Sequence, residues 1–153
     1  MAITYRAATI ENIEAVTNLS VLLYQPPAVE EASEYDELFK SNKEDLLNPK
    51  MAVFLAFDGS EAIGFSHVSL RYDYVEGTNG GTVGYLEGIY VMPEYRGQGI
   101  AKHLSVMGEN WSKEKGCVEF ASDCLLANSD SLAFHLKIGF EEANRLICFI
   151  KKI

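Results

Sequence analysis

One stretch of the chain, residues 84–101, restricts the fold more than any other. An apolar run over 84–92 predicts a buried strand, and Pro93 ends it because proline lacks the backbone N–H that a strand uses. The glycine-rich sequence Arg96-Gly-Gln-Gly-Ile-Ala101 follows, and apolar residues at helical spacing begin at Ile100. This order of strand, glycine turn and helix indicates a mixed α/β domain with most strands in one sheet.

The other elements are predicted from hydrophobic periodicity and turn signals. A first helix should end before Pro26-Pro27, and a second, loosely amphipathic helix near Asn48-Pro49. Further helices are predicted over 100–115 and 129–138. Strands are predicted at 3–7, 51–57, 62–72, 84–92, 118–122 and 145–150. Because no linker or repeat divides the chain, we expect a single domain over residues 1–153.

The net negative charge of the chain limits the classes of molecule that it is expected to bind. Thirteen Lys and Arg against 22 Asp and Glu give a formal charge of −9. Such a surface repels phosphate backbones and anionic lipids, so we expect no nucleic-acid or membrane partner. The three cysteines lack CxxC spacing, and we expect neither a disulfide framework nor a metal site. With no signal peptide or long apolar run, a cytoplasmic location is expected.

Several acidic residues are candidates for binding a cation. Five acids and no base lie from Glu30 to Glu37, forming either a solvated helix face or a negative wall beside a cationic substrate. Glu87 interrupts an apolar strand and Asp123 ends the next one, and neither has an obvious basic neighbour in the sequence. A buried carboxylate needs a partner or a cleft. Glu87 could instead make a structural hydrogen bond at a bulge, and Asp123 could cap a turn.

Gly97 and Gly99 allow a tight turn whose backbone N–H groups point outward at a helix N-terminus. The partial positive charge there can hold a pyrophosphate without several lysines, which suits a chain of charge −9. The turn is not a Walker loop, since no Gly-Lys-Ser/Thr follows, and it is not an early GxGxxG of a βαβ unit. An ordinary glycine turn is the alternative.

Two segments in this order resemble a known family. Val91-x-Pro93 followed by Arg96–Ala101 resembles the Arg/Gln-x-x-Gly-x-Gly/Ala signature of the GNAT acetyltransferases. Downstream, Asn128, Ala133 and His135-x-x-x-Gly139-Phe140 resemble that family's Asn…Ala…Tyr-x-x-x-Gly-Phe segment. The resemblance covers nearly the whole chain. It implies a mixed, mostly antiparallel sheet flanked by helices and splayed between the strands at 84–92 and 118–123.

The resemblance also implies acetyl-CoA as cosubstrate. The residues implied to bind it are Ile89, Tyr90, Val91, Arg96, Gly97, Gln98, Gly99, Ile100, Ala101, Asn128 and His135. His135 occupies the position of the family's tyrosine, which protonates the coenzyme A thiolate. Histidine has an ordinary pKa of about 6.5. His135 is therefore either a proton donor or a residue that only lines the cofactor slot.

Shorter features resemble one branch of the family, the aminoglycoside 6′-N-acetyltransferases. They are Leu86-Glu87-Gly88-Ile89, Ala121-Ser122-Asp123, the Arg71–Gly77 loop and His135. This implies catalytic roles for Glu87, Asp123 and His135, antibiotic contacts from both acids, Tyr24 and Tyr74, and a homodimer. The implied function is acetyl transfer to an aminoglycoside 6′-amine, which confers resistance. The alternatives are another cationic amine acceptor (a polyamine, an amino acid or a protein amine) and a non-catalytic acyl-CoA sensor.

Overall fold

A computed structural model of the protein describes residues 2–24 and 32–153. Its helices are α1 (Ile13–Tyr24), α2 (Ala32–Leu47), α3 (Ile100–Glu114) and α4 (Ser129–Lys137). Its strands are β1 (Ile3–Ala7), β2 (Met51–Asp58), β3 (Glu61–Arg71), β4 (Val83–Val91) and β5 (Phe120–Ser122). Short 3-10 turns at Ile10–Asn12 and Pro93–Tyr95 precede α1 and the glycine-rich loop. Within these described residues, no helix is long and apolar enough to cross a bilayer.

The described strands form one sheet in the order β1-β2-β3-β4-β5. The first four strands pair antiparallel, and β4 pairs with β5 in parallel. That parallel ladder is short and ends where Leu86 faces Ser122. Because β4 continues to Val91 while β5 stops at Ser122, the two strands part after Leu86. The predicted splay of the sheet is therefore confirmed.

Helices cover both faces of the sheet, which explains why the run over β2 is almost continuously apolar. Alternate β2 residues, including Val53 and Leu55, are buried in one cluster with Val16 and Leu19 of α1. The residues between them, Phe54 and Ala56, point to the other face and pack in a second cluster with α3, whose Leu104 is completely buried. Burying a side chain such as Leu104 stabilises the fold by roughly 1.5–3 kcal/mol. Leu86 and Val91 of β4 and Ile100 at the start of α3 are buried in the second cluster, which fixes both ends of the loop between them.

The structure confirms the predicted helices and most strands, with two differences. The strand expected at 118–122 begins only at Phe120. The strand expected at 145–150 is wrong, since residues 140–153 have no regular secondary structure and nearly all of them are exposed. A strand needs a neighbour to satisfy its backbone, and this segment forms no ladder with the described strands. The predicted end of the first helix before Pro26-Pro27, and Glu30 and Glu31 of the acidic run, lie outside the described residues.

Candidate active site

Glu87 is the extra residue of a β-bulge in β4. Leu86 faces Val68 and Gly88 faces His67 across the ladder with β3, so the register shifts at Glu87. A bulge re-aims a side chain without breaking the strand. The Glu87 side chain is 25% exposed, whereas Leu86 beside it is buried. An isolated acid in an apolar strand is therefore accommodated by local backbone geometry.

Two side chains of β3 donate hydrogen bonds to Glu87. Ser69 Oγ donates to Oε1 at 2.6 Å. Arg71 binds both carboxylate oxygens, with Nε 3.0 Å from Oε1 and Nη2 2.8 Å from Oε2. Glu87 has no obvious basic neighbour in the sequence, but the antiparallel pairing of β3 and β4 brings Arg71, 16 residues earlier, beside it. The hydrogen bond from Arg71 to Glu87 raises the pKa of the guanidinium further, so Arg71 is charged.

Asp123 joins the same group through Tyr85. The Tyr85 hydroxyl donates to the Asp123 carboxylate, and the Arg71 guanidinium carbon lies 3.4 Å from the centre of the Tyr85 ring. Burial, together with the hydrogen bond to Asp123, raises the pKa of Tyr85 far above its ordinary value, so the hydroxyl keeps its proton and donates. We call Glu87, Asp123, Arg71 and Tyr85 the carboxylate cluster. It links β3, β4 and the end of β5 where the strands part.

Tyr24, at the end of α1, lies beside this cluster. A Cβ added at Gly88 would lie 3.3 Å from the Tyr24 hydroxyl oxygen. Burial, followed by the negative charges of Glu87 and Asp45, raises the pKa of Tyr24. The structure therefore places the predicted residue Tyr24 next to Glu87.

Part of the predicted acidic run reaches the same region. A cavity of about 470 Å³ is lined by Tyr24, Glu34, Glu37, Leu38 and Ser41. Glu34 and Glu37 thus share a cavity with a residue that borders the carboxylate cluster. Of these two acids, Glu34 is half-buried and Glu37 is exposed.

A histidine and an aspartate lie near Glu87 on the α2 side of the sheet. His67 Nε2 is 3.4 Å from Asp45 Oδ2. Burial lowers the pKa of His67 by more than the carboxylates of Asp45 and Glu87 raise it, and burial raises the pKa of Asp45. His67 is therefore uncharged at neutral pH, and its contact with Asp45 is not an ion pair.

The glycine-rich turn has the backbone that anion binding requires. Gly97 and Gly99 have φ of 78° and 80°, a left-handed conformation that other residues adopt only with strain. A Cβ at either position would meet no protein atom within 4 Å, so the space over the turn is open. Arg96 Nε donates to the Val91 carbonyl oxygen at 2.8 Å and ties the turn to β4. The turn leads directly into the N-terminus of α3 at Ile100.

These features fit acetyl-CoA. The open turn before α3 can accept the pyrophosphate on backbone N–H groups. The edge of β4 from Glu87 to Val91 has no pairing partner on the β5 side among the described strands, so an extended pantetheine arm can pair with it. The predicted residues Ile89, Tyr90 and Val91 lie on this edge. Gln98 is exposed in the turn, and Ala101 is in the first turn of α3.

His135 and Asn128 lie on α4 and its N-cap. His135 Nδ1 is 2.7 Å from the Ser131 carbonyl oxygen, and Nε2 is 2.7 Å from Ser122 Oγ. Ser122 Oγ is also 3.2 Å from the Leu86 carbonyl oxygen, at the point where β4 and β5 separate. Asn128 caps α4, since its Oδ1 accepts the Ser131 N–H at 3.1 Å, and no acceptor among the described residues binds its side-chain N–H groups.

The structure does not join every predicted residue to the cluster. Tyr74 lies in the exposed loop after β3, and its hydroxyl donates to Glu76 of that loop and not to either carboxylate of the cluster. Sequence reasoning also missed Ser69, Arg71 and Ser122 as contact residues. Ser69 and Arg71 have the i, i+2 spacing of one strand face, which is a detectable signal. Their partner could not be read from it, because the bulge decides which way Glu87 points.

Comparison with known proteins gives a consistent result. The acetyltransferase (GNAT) family model matches residues 13–140. Aminoglycoside N(6′)-acetyltransferase type 1 from Acinetobacter genomosp. 13 is 43% identical over 122 residues, covering 78% of this chain and 84% of the relative. The protein of the same name from Salmonella typhimurium is 39% identical over 118 residues, covering 76% of this chain and 81% of the relative.

Solved structures resemble the whole chain. AAC(6′)-Iy in complex with the bisubstrate analogue CoA-S-monomethyl-acetylneamine superposes with a TM-score of 0.91 at 33% identity and covers 100% of both chains. The aminoglycoside 6′-N-acetyltransferase AAC(6′)-Ih from Acinetobacter baumannii has a TM-score of 0.90 at 33% identity and covers 99% of both chains. The fold and the order of its elements are thus those of these proteins.

Proposed function

Since the chain belongs to the acetyltransferase (GNAT) family, we propose that it transfers the acetyl group of acetyl-CoA to the 6′-amino group of an aminoglycoside. The observation that carries this proposal is the carboxylate cluster, which lies where β4 and β5 part and beside the open edge of β4. A cation bound there is adjacent to the strand that an acetyl-CoA arm would pair with.

Acetyl-CoA, when bound, supplies an acetyl group activated as a thioester. In this proposal the backbone N–H groups of Gly97, Gly99 and Ala101 hold its pyrophosphate at the start of α3, which the left-handed backbone at both glycines supports. Ile89–Val91 offer backbone groups to the pantetheine arm, and Asn128 offers its side-chain N–H groups. Because backbone dipoles perform this binding, a chain with a formal charge of −9 can still hold a pyrophosphate.

The carboxylates bind the acceptor and manage its proton. An aminoglycoside carries several ammonium groups at neutral pH, and a carboxylate binds each one with a charge-assisted hydrogen bond. The 6′-amine must lose a proton before it can attack a carbonyl carbon. Glu87 or Asp123 can accept that proton directly or through a water molecule. The cavity lined by Glu34 and Glu37 extends the negative surface for the other rings of the acceptor.

His135 is proposed to supply the proton that the leaving thiolate takes up. The Ser131 carbonyl oxygen can only accept, so His135 Nδ1 carries a proton and Nε2 faces Ser122. When Nε2 also carries a proton, it can donate to Ser122 Oγ, and the Ser122 hydroxyl can pass its own proton to the thiolate at the opening between β4 and β5. The proton route runs from His135 through Ser122, which differs from direct donation by a tyrosine.

The protein is also proposed to be a homodimer. Residues 140–153 lie on the surface, with Phe149 91% and Ile150 92% exposed. Large apolar side chains exposed together mark a surface that another chain covers. β5 is an edge strand of the described sheet, so its outer edge is open to a strand from a second copy.

A matched pair of acceptors tests the proposed function. Neomycin and paromomycin differ only at the 6′ position, where neomycin has an amine and paromomycin a hydroxyl. We expect acetyl-CoA-dependent release of free thiol with neomycin at least about 10²-fold faster than with paromomycin, because only an amine is nucleophilic enough at neutral pH. Equal rates would contradict 6′-transfer. Faster turnover of spermidine would favour a polyamine acceptor, and acetyl-CoA binding without turnover of any amine would indicate a sensor.

A further inference from the structure

We infer that Arg71 is a resident counter-ion of the acceptor site, which fixes Glu87 in place and leaves Asp123 as the carboxylate that receives the acceptor's ammonium group. The inference rests on the proposed function. The sequence assigns acceptor binding to both Glu87 and Asp123, whereas the inference gives the two acids different roles. Arg71 is a positioning residue in this scheme, since it acts through Glu87 and Tyr85.

The hydrogen bonds to Glu87 leave it little capacity for a ligand. Its Oε1 accepts from both Ser69 Oγ at 2.6 Å and Arg71 Nε at 3.0 Å, and its Oε2 accepts from Arg71 Nη2 at 2.8 Å. A carboxylate offers about four acceptor positions, so Glu87 keeps one, on Oε2. Its negative charge is also matched by the guanidinium at contact distance. Glu87 is thus a fixed acceptor for a single directed hydrogen bond.

Asp123 has different surroundings. Its described hydrogen bond comes from the uncharged Tyr85 hydroxyl, which binds Oδ2. Oδ1 is left for a ligand, and the residue is exposed at the end of β5. With Arg71 counted, the carboxylate cluster carries a net formal charge of −1 that belongs to Asp123. An incoming ammonium group is therefore attracted chiefly to Asp123.

Arg71 also sets the spacing between the two acids. Its guanidinium stacks on the Tyr85 ring, with the central carbon 3.4 Å from the ring centre, while its nitrogens bind Glu87. The hydroxyl of the same ring binds Asp123. One chain of contacts therefore runs from Glu87 through Arg71 and Tyr85 to Asp123. A planar group that stacks and binds bidentately is needed at its centre, and lysine cannot replace it.

Steady-state kinetics of Arg71→Gln and Arg71→Lys test the inference. In Arg71→Gln the cluster gains a net negative charge, so we expect the neomycin KM to fall about 3- to 10-fold at low salt and this gain to vanish at high salt. We expect kcat to fall about 10-fold because Glu87 is no longer held. Arg71→Lys should restore the wild-type KM but not kcat. Arg6→Gln, which removes the same charge from β1 where Arg6 lies over Phe57, should change neither value.

A double-mutant cycle separates positioning from a merely structural role. If Arg71 acts through Glu87, the kcat loss of Arg71→Gln should disappear in the Glu87→Gln background. Additive losses would overturn the inference, as would a rise in neomycin KM in Arg71→Gln protein that keeps the wild-type melting temperature and acetyl-CoA affinity.

If the wild type acetylates no aminoglycoside, the proposed function fails instead. The NMR signal of the Arg71 Nε–H then tests the Arg71–Glu87 pair by itself. A change of its chemical shift away from the hydrogen-bonded value in Glu87→Gln would support the pair, and an unchanged chemical shift would overturn it.

Discussion

Arg71 and Ser69 donate to Glu87, whereas Asp123 accepts from the neutral Tyr85 hydroxyl. Both carboxylates lie at the opening between β4 and β5, but only the charge of Glu87 is balanced by a neighbouring cation. His135 is likewise defined by its partners, because both ring nitrogens are within hydrogen-bond distance of serine oxygens. At the scale of single residues, the site is a set of polar groups, each of which is oriented by hydrogen bonds to neighbouring side chains or backbone groups.

The proposed proton route through His135 predicts a kinetic effect. His135→Ala should lower kcat by roughly 10²-fold while acetyl-CoA affinity changes by less than about threefold, because a proton donor acts in the reaction and not in binding. Ser122→Ala should show a loss of the same order, since it interrupts the same route. Turnover rates and calorimetric titration with acetyl-CoA measure the two effects.

A second histidine provides the control. His103 stacks on the Tyr5 ring with 3.8 Å between ring centres, and His103→Ala should keep wild-type turnover. A loss of only two- to threefold in His135→Ala would instead assign His135 to lining the cofactor slot.

The glycine turn between β4 and α3 gives a prediction at the scale of elements. Gly99→Val should weaken acetyl-CoA binding by 10-fold or more, which corresponds to about 1.4 kcal/mol. The loss has two sources: a β-branched residue is strained at φ 80°, and its side chain enters the open space over the turn. Calorimetric titration of acetyl-CoA measures it.

Gly81 is a matched control for backbone strain. It has φ of 79° and open space around its Cβ position, but it lies in the loop between β3 and β4. Gly81→Val should therefore keep the acetyl-CoA affinity of the wild type. Equal losses in both variants would show that strain alone, and not the phosphate site, explains the effect at Gly99.

Elements with their own local signals could be predicted from the sequence. The apolar run of β2, the glycine stop of α3 at Gly116 and the turn at Gly97 and Gly99 depend on residues close in the chain. The Arg71–Glu87 pair could not be predicted, because it depends on the register between β3 and β4 and on a bulge. The strand expected at 145–150 failed for a related reason, since apolar alternation shows that a segment can pair but not which chain it pairs with.

For the whole molecule, the exposed segment 140–153 leads to a prediction about assembly. Removing residues 145–153 should convert the proposed dimer into a monomer. The truncation removes Phe149 and Ile150, the exposed apolar side chains that a second copy is proposed to cover. Phe149→Glu in the full-length chain should do the same if truncation impairs folding. Sedimentation velocity at micromolar concentration measures the mass.

Leu47→Glu is the matched control for assembly, since Leu47 is an exposed apolar residue at the end of α2. It should leave the dimer intact. A wild-type protein that sediments as a monomer at these concentrations would rule out the proposed dimer.

The central claim is that the carboxylate cluster binds the cationic acceptor, and the kcat/KM of Asp123→Asn for neomycin tests it most directly. We expect a loss of about 10- to 150-fold at low salt, since removing one charge-assisted contact costs about 1.5–3 kcal/mol. Acetyl-CoA affinity should remain unchanged, and added salt should narrow the gap to the wild type. Glu114→Gln, at the far end of α3, should behave as the wild type. Wild-type kcat/KM for Asp123→Asn at low salt would contradict the account and place the cation site elsewhere.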